Sequence, residues 1–124
     1  MSTEVKKAAI YARVSSEKQD TDLSIAAQLK ALREYAARNS CHVVREFVDE
    51  AESGRTADRP AFREMVSMAR RPQKPFDVIL VWKYSRFARS REDSVVYKTM
   101  LRKSGVQVIS ITEPLRGYSY RQAP

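Results

Sequence analysis

Two groups of residues in this chain have the types and spacing to do chemistry together. Arg13-Val14-Ser15-Ser16 stands where one apolar run ends, and Arg86 and Arg89 stand where a much later one ends. A serine hydroxyl is a weak nucleophile until its surroundings activate it. Arginine keeps its charge at any working pH, and its planar fork matches phosphate oxygens. A hydroxyl beside several guanidinium groups is therefore suited to attack a phosphate. Such attack builds negative charge on the non-bridging and leaving oxygens, and preorganised donors aimed at that charge are usually the largest catalytic term. Arg13, Arg59, Arg86 and Arg89 are the candidates for that cradle. Arg86 and Arg89, three apart, share a face if their segment is helical. Both Ser15 and Ser16 have the chemistry of the nucleophile.

The elements that must position these groups alternate along the chain. Ala8 to Val14 predicts a strand. Ile25, Leu29, Leu32 and Ala36 then fall on one helical face. His42 to Val48 predicts a second strand, and Phe62, Met65, Val66 and Ala69 a second helix, opened by Pro60 in its first turn. Phe76 to Trp82 is almost wholly apolar, as a strand covered on both faces should be. Ser90-Arg91-Glu92-Asp93 has the form of a capping box for a third helix, Gly105 suits its C-terminal cap, and Val106 to Ile111 predicts a fourth strand. The order β-α-β-α-β-α-β implies an α/β fold, a mostly parallel central sheet flanked by helices with right-handed crossovers. Sites in such sheets lie outside the carboxyl ends of the strands. Ser15 and Ser16, the loop from Asp49 to Arg59, and Ser85, Arg86 and Arg89 all follow strands, so they should converge on one edge.

With 124 residues the chain is long enough for one core and not for two. Lysine and arginine total 23 against 15 acidic residues, a net charge of +8, which favours an anionic partner such as nucleic acid. No apolar run approaches the roughly 20 residues that span a bilayer, so no membrane partner is expected. The N-terminus lacks the basic-then-apolar layout of a secretory signal. Cys41 is the single cysteine, which rules out an internal disulfide and a cysteine-built zinc site; the expected compartment is the cytoplasm, with no metal and no cofactor. Cys41 and His42 read as ordinary residues entering a strand, and His42 sits at the wrong end of that strand to serve as a general base.

Tyr11-Ala12-Arg13-Val14-Ser15-Ser16-Glu17-Lys18-Gln19 resembles the signature opening of the serine site-specific recombinases, the resolvase/invertase and large serine integrase family. Three further segments match in order: Ser53-Gly54 with Asp58-Arg59-Pro60-Ala61-Phe62, then Lys83-Tyr84-Ser85-Arg86-Phe87-Ala88-Arg89-Ser90, then Ser110-Ile111-Thr112-Glu113-Pro114. The longer loop after the second strand is closer to the integrase and transposase branch than to the small resolvases. The resemblance implies a resolvase-like catalytic domain over residues 1–114, with 115–124 a polar tail or the cut start of the next region. It implies that Ser15, not Ser16, attacks one DNA strand to give a 5′-phosphoserine link. It also implies that Arg13, Arg59, Arg86 and Arg89 bind the scissile phosphate, that Gln19 orients the site, and that Ser53, Lys83 and Ser85 lie against DNA. The implied partner is double-stranded DNA, with dimers pairing into a tetramer in the whole protein. The sequence departs from the family pattern at Ser85, where many members carry Asp, and in residues 115–124, where the family continues into a long helix and DNA-binding domains. The resemblance implies an enzyme that cleaves and rejoins DNA, and the catalytic domain by itself is expected to be impaired or inactive.

Other readings of the residues point elsewhere. Asp20-Thr21-Asp22 is an Asp-x-Asp pair of the kind that holds Mg²⁺ in phosphatases and nucleases. It stands where the first helix needs an N-cap, and capping is the simpler role. A receiver-like signalling domain shares the βα order but needs an acidic pocket, whereas the rim here is rich in arginine. A catalytically silent DNA-binding or dimerisation module is the remaining alternative, although no helix-turn-helix or zinc motif is present.

Overall fold

The structure is a computed structural model, and it describes residues 5–14, 24–50, 59–87 and 91–112. Four strands, β1 (Lys6–Val14), β2 (Cys41–Glu50), β3 (Val78–Val81) and β4 (Gln107–Ser110), form one sheet in the order β2-β1-β3-β4 with every described pairing parallel. The helices are α1 (Ile25–Arg38), α2 (Pro60–Ala69), the single turn α3 (Tyr84–Phe87) and α4 (Arg91–Lys103). The expected order is present, with α3 as an added turn between β3 and α4. The central strands are covered on both faces, which is why Ala8 to Ala12 and Val78 to Val81 run as unbroken apolar stretches.

One face of the sheet buries Ala8, Ile10, Val78 and Leu80 against Leu32 and Ala36 of α1. The other buries Ala9, Tyr11, Ile79 and Val81 with α2, Phe87 and Leu101 of α4. At the heart of this second layer Phe62 meets Tyr11, Phe87 and Tyr97 edge-on, with ring centroids 5.5, 5.3 and 5.0 Å apart. Such arrangements add about 0.5–1.5 kcal/mol per pair beyond burial alone.

Helix ends follow from local chemistry. Ser24 caps α1, its side chain accepting from the Ala27 N–H at 3.2 Å. The cap expected from Asp20 and Asp22 is thus supplied by Ser24, which is placed with extended backbone right at the first helical residue. Pro60 opens α2 as expected. At the end of α4, Gly105 takes φ +84°, and the N–H groups of Gly105 and Val106 reach back to the carbonyls of Arg102 and Leu101, both at 2.9 Å. That is a Schellman closure with buried Val106 against buried Leu101. Ser90 lies outside the described residues.

The β1–β2 register slips between Ala8 and Ala9: Ala8 faces Val43, and Ala9 faces Arg45. The extra residue, Val44, makes a bulge and reverses which side of β2 faces which layer. Val43 packs in the α1 layer, whereas Phe47, of the same odd parity, packs in the α2 layer. Asp49 is thereby carried to the α2 side as well, where its partners are.

Candidate active site at the carboxyl edge

In a doubly wound sheet the crevice opens where successive connections leave in opposite directions. Here that point lies between β1 and β3, which are hydrogen-bonded neighbours although β2 comes between them in sequence. Val14 ends β1 at this crevice, and Trp82, Lys83 and α3 continue from β3 beside it. Ser15, Gln19, Ser53 and Arg89 lie outside the described residues. Ser15 follows Val14, the last residue of β1, in sequence. Ser85 and Arg86 are backbone members of α3, and their side chains lie outside the description.

Arg13 is half-buried in β1, with its main chain clamped by Gln28 of α1. The Gln28 side-chain amide donates to the Arg13 carbonyl at 3.0 Å, and its oxygen accepts from the Arg13 N–H at 3.4 Å. Gln28 is fully buried on the apolar face of α1. A polar residue at a core position is costly unless bonded, and these bonds fix the last turnings of the strand before Ser15.

Arg59 is buried at the entry to α2, only 9% exposed. One terminal nitrogen donates to the Phe87 carbonyl at 2.8 Å, and its guanidinium lies 3.9 Å above the Phe62 ring. Phe87 is itself fully buried and directly follows Arg86. Arg59 thus ties the start of α2 to the turn that bears Arg86. Lys83 is half-buried on the short link into that turn.

Asp49, expected in a loop after the second strand, belongs to β2 and is buried. It accepts from the Tyr11 hydroxyl at 2.8 Å and from the N–H groups of Ala61 and Phe62, both at 2.9 Å. The α2 entry residue, Arg59, makes no side-chain cap, so Asp49 caps the helix from the neighbouring strand and supplies the negative charge its N-terminus favours. Burial holds the Tyr11 hydroxyl well above the ordinary tyrosine range; nearby Arg59 pulls the other way, and the bond to Asp49 adds to the rise. Tyr11 is therefore a neutral donor that braces the site, not a base. Tyr11, Gln28, Asp49 and Phe87 are the supports that sequence reasoning missed. The signals were present for two of them: a glutamine on an apolar helix face, and an aspartate closing an apolar strand.

His42 pairs with Lys7 near the start of β1, and Cys41 with Lys6, both at the opposite edge of the sheet. Asp20 and Asp22 lie outside the described residues. A concavity of about 460 Å³ between α4 and β4, lined among others by Lys98, Thr99 and Gln107, has among its described lining residues none of the candidate site residues. No helix among the described residues is long and apolar enough to cross a membrane.

With this geometry in hand, the family is decided by similarity over nearly the whole chain: the family model described as "Resolvase, N terminal domain" matches residues 8–123. The chain belongs to the resolvase N-terminal domain family. This resolvase-family domain is 33% identical over 105 residues to a DNA-invertase of Escherichia phage P1, covering 85% of this chain and 48% of that protein. It thus spans about half the length of the curated relatives it matches. Among solved structures it is similar to the N-terminal catalytic domain of TP901-1 integrase, with a TM-score of 0.73 and 34% identity over 87% of this chain and 78% of that one. It is also similar to a resolvase family site-specific recombinase from Streptococcus pneumoniae, with a TM-score of 0.74 and 26% identity over 89% and 74% of the two chains. The fold is the resolvase-like catalytic fold that the motifs implied.

Proposed function

We propose that this resolvase-family domain is the catalytic domain of a serine site-specific recombinase, acting on double-stranded DNA without metal or cofactor. The single observation that carries the reading is the meeting of β1 and β3 at the switch point: β1 ends at Val14, which Ser15 follows in sequence, and β3 leads into the turn that bears Arg86. The Ser15 hydroxyl oxygen bonds to the scissile phosphorus while the bond from phosphorus to the 3′ oxygen breaks. The serine proton is given up and a proton is gained by the departing 3′ oxygen, leaving a 5′-phosphoserine ester and a free 3′-hydroxyl. The ester retains the bond energy, so attack by a 3′-hydroxyl of the exchanged strand rejoins DNA and restores the serine.

In this reading Arg13, Arg59, Arg86 and Arg89 neutralise the phosphate and the charge that grows on it, and Gln19 orients the site. Arg59 also holds α3 in place through Phe87. Ser53, Lys83 and Ser85 line the path of the DNA. The catalytic unit comprises residues 1–114, with 115–124 a polar tail or the start of a following region, although the family match runs on to residue 123. The whole protein works in the cytoplasm on DNA, as dimers that pair into a tetramer. DNA-invertase and integrase names among the relatives support the chemistry.

The test is cleavage of a cognate duplex by the longest natural chain carrying this domain, with the wild type and Ser15→Ala compared in the presence of a chelator. Covalent protein–DNA adducts are expected from the wild type and none from the folded variant. Cleavage that proceeds without any adduct and vanishes with the chelator would favour the metal-dependent nuclease instead.

A further inference from the structure

We infer that the amino edge of the sheet, opposite the candidate cleavage site, is a second polyanion-binding face that takes the sugar–phosphate backbone of duplex DNA. In a parallel sheet with helical crossovers the strand starts and the helix C-termini gather at one edge. Here the Lys6 N–H donates to the Ser40 carbonyl at 3.1 Å, the Asp77 N–H to the Lys7 carbonyl at 2.8 Å, and the Gln107 N–H to the Asp77 carbonyl at 3.0 Å. The starts of all four strands are thus stitched side by side. Lys6 and Lys7 open β1, Arg38 and Lys103 end α1 and α4, and Arg70 and Arg71 follow α2.

All six side chains are exposed, and among the described residues none makes an ion pair. Elsewhere on the surface, two arginines are matched with carboxylates. Arg33 holds Glu46 through two bonds of 2.7 and 2.9 Å, and Arg45 lies 3.6 Å from Glu64. At the amino edge Asp77 faces Lys74 at 4.0 Å. Helix dipoles favour cations in a last turn, which accounts for Arg38, Arg70 and Lys103. They do not account for Lys6 and Lys7, which lie on a strand, or for a second arginine beyond α2.

Duplex DNA fits this face better than an acidic protein does. Protein interfaces are anchored by clustered aromatic and aliphatic side chains, and this edge offers one exposed large apolar residue, Val5. A set of lysines and arginines along one edge is suited to phosphates, read without regard to sequence. The nine residues of β1 separate the two edges by roughly 27 Å, several times the Debye length of about 8 Å at physiological salt. The two faces therefore act as separate electrostatic sites, and the amino edge can hold a stretch of DNA other than the one at the crevice. This inference does not rest on the cleavage chemistry, because it concerns noncovalent binding alone.

The experiment is fluorescence anisotropy of the 124-residue chain on a labelled duplex of arbitrary sequence, repeated across salt concentrations. Each phosphate contact contributes about 0.9 to the slope of log K against log salt. The variant Lys6→Gln/Lys7→Gln/Arg70→Gln/Arg71→Gln should lose about two to four from that slope and bind at least tenfold more weakly at low salt. Arg70→Lys/Arg71→Lys should keep the slope, and Arg38→Gln/Lys103→Gln should reduce it by about one to two, which guards against misfolding of the fourfold variant. An unchanged slope in both neutralised variants would overturn the inference. So would a poly-glutamate competitor that displaces the chain more effectively than unlabelled DNA of equal charge.

Discussion

The Arg59 guanidinium donates to the main-chain carbonyl of Phe87 at 2.8 Å while lying 3.9 Å above the Phe62 ring. One buried cation thereby joins the entry of α2 to the turn that carries Arg86, and it does so through backbone, so the identity of the neighbouring side chains does not matter to the bond. Arg59→Ala leaves a buried carbonyl without its donor and removes a desolvated cation–π contact, and should cost about 2–4 kcal/mol of stability by chemical denaturation. Arg59→Lys keeps the charge but not the fork, so cleavage should fall while part of the stability is retained.

Arg86→Ala and Arg89→Ala should behave differently. Each is expected to lower DNA cleavage by at least about a hundredfold, the scale of removing one charge-stabilising donor, while shifting stability by less than about 1 kcal/mol. Parallel cleavage assays and urea melts check this. Matching losses in both assays would mean that these arginines hold the fold and not the phosphate.

Asp49 has the largest structural duty of the supports. Asp49→Ala strands the Tyr11 hydroxyl and two N–H groups at the start of α2, and should destabilise the domain by about 3–5 kcal/mol. Asp49→Asn keeps one acceptor oxygen, enough for Tyr11 and Phe62, but turns its NH2 toward the Ala61 N–H and carries no charge to set against the helix N-terminus. It should therefore cost less than the alanine variant, about 1–3 kcal/mol. Thermal denaturation with both variants separates the two contributions.

Tyr11 makes a pH-dependent prediction. Burial, opposed in part by Arg59 and reinforced by Asp49, holds its hydroxyl protonated above its ordinary value of 10.0. The unfolded chain ionises this group near pH 10 and the folded chain does not, so its stabilisation is complete below that pH and is lost as the pH climbs beyond it. The slope from this one group approaches about 1.4 kcal/mol per pH unit. Tyr11→Phe should be less stable at neutral pH yet lose less stability between pH 9 and about 11. Equal alkaline slopes in denaturant titrations would mean that the hydroxyl is accessible in the folded state.

Much of this architecture was legible in the residues. Unbroken apolar runs at Ala8–Ala12 and Val78–Val81 announced central strands, and Pro60 and Gly105 marked a helix start and a helix end for reasons of backbone geometry alone. The bulge at Val44 was not legible. A one-residue slip leaves the local apolar pattern of β2 nearly unchanged, yet it alone turns Phe47 and Asp49 toward α2. Asp49 looked like a loop residue because an aspartate is disfavoured in strands, and its three partners come from β1 and α2, far away in sequence. Ser24 took the cap of α1 ahead of Asp20 and Asp22, a difference of position that composition does not resolve.

The central claim, that Ser15 is the nucleophile, is tested most directly by mapping the covalent bond. A nicked cognate duplex traps the protein–DNA adduct formed by the longest natural chain carrying the domain, and tandem mass spectrometry of the digested adduct identifies the modified side chain. Phosphorylated nucleotide on Ser15, through a 5′ linkage, is the result this account predicts. The same linkage on Ser16 or on any other residue, or an adduct that persists in Ser15→Ala, would contradict it.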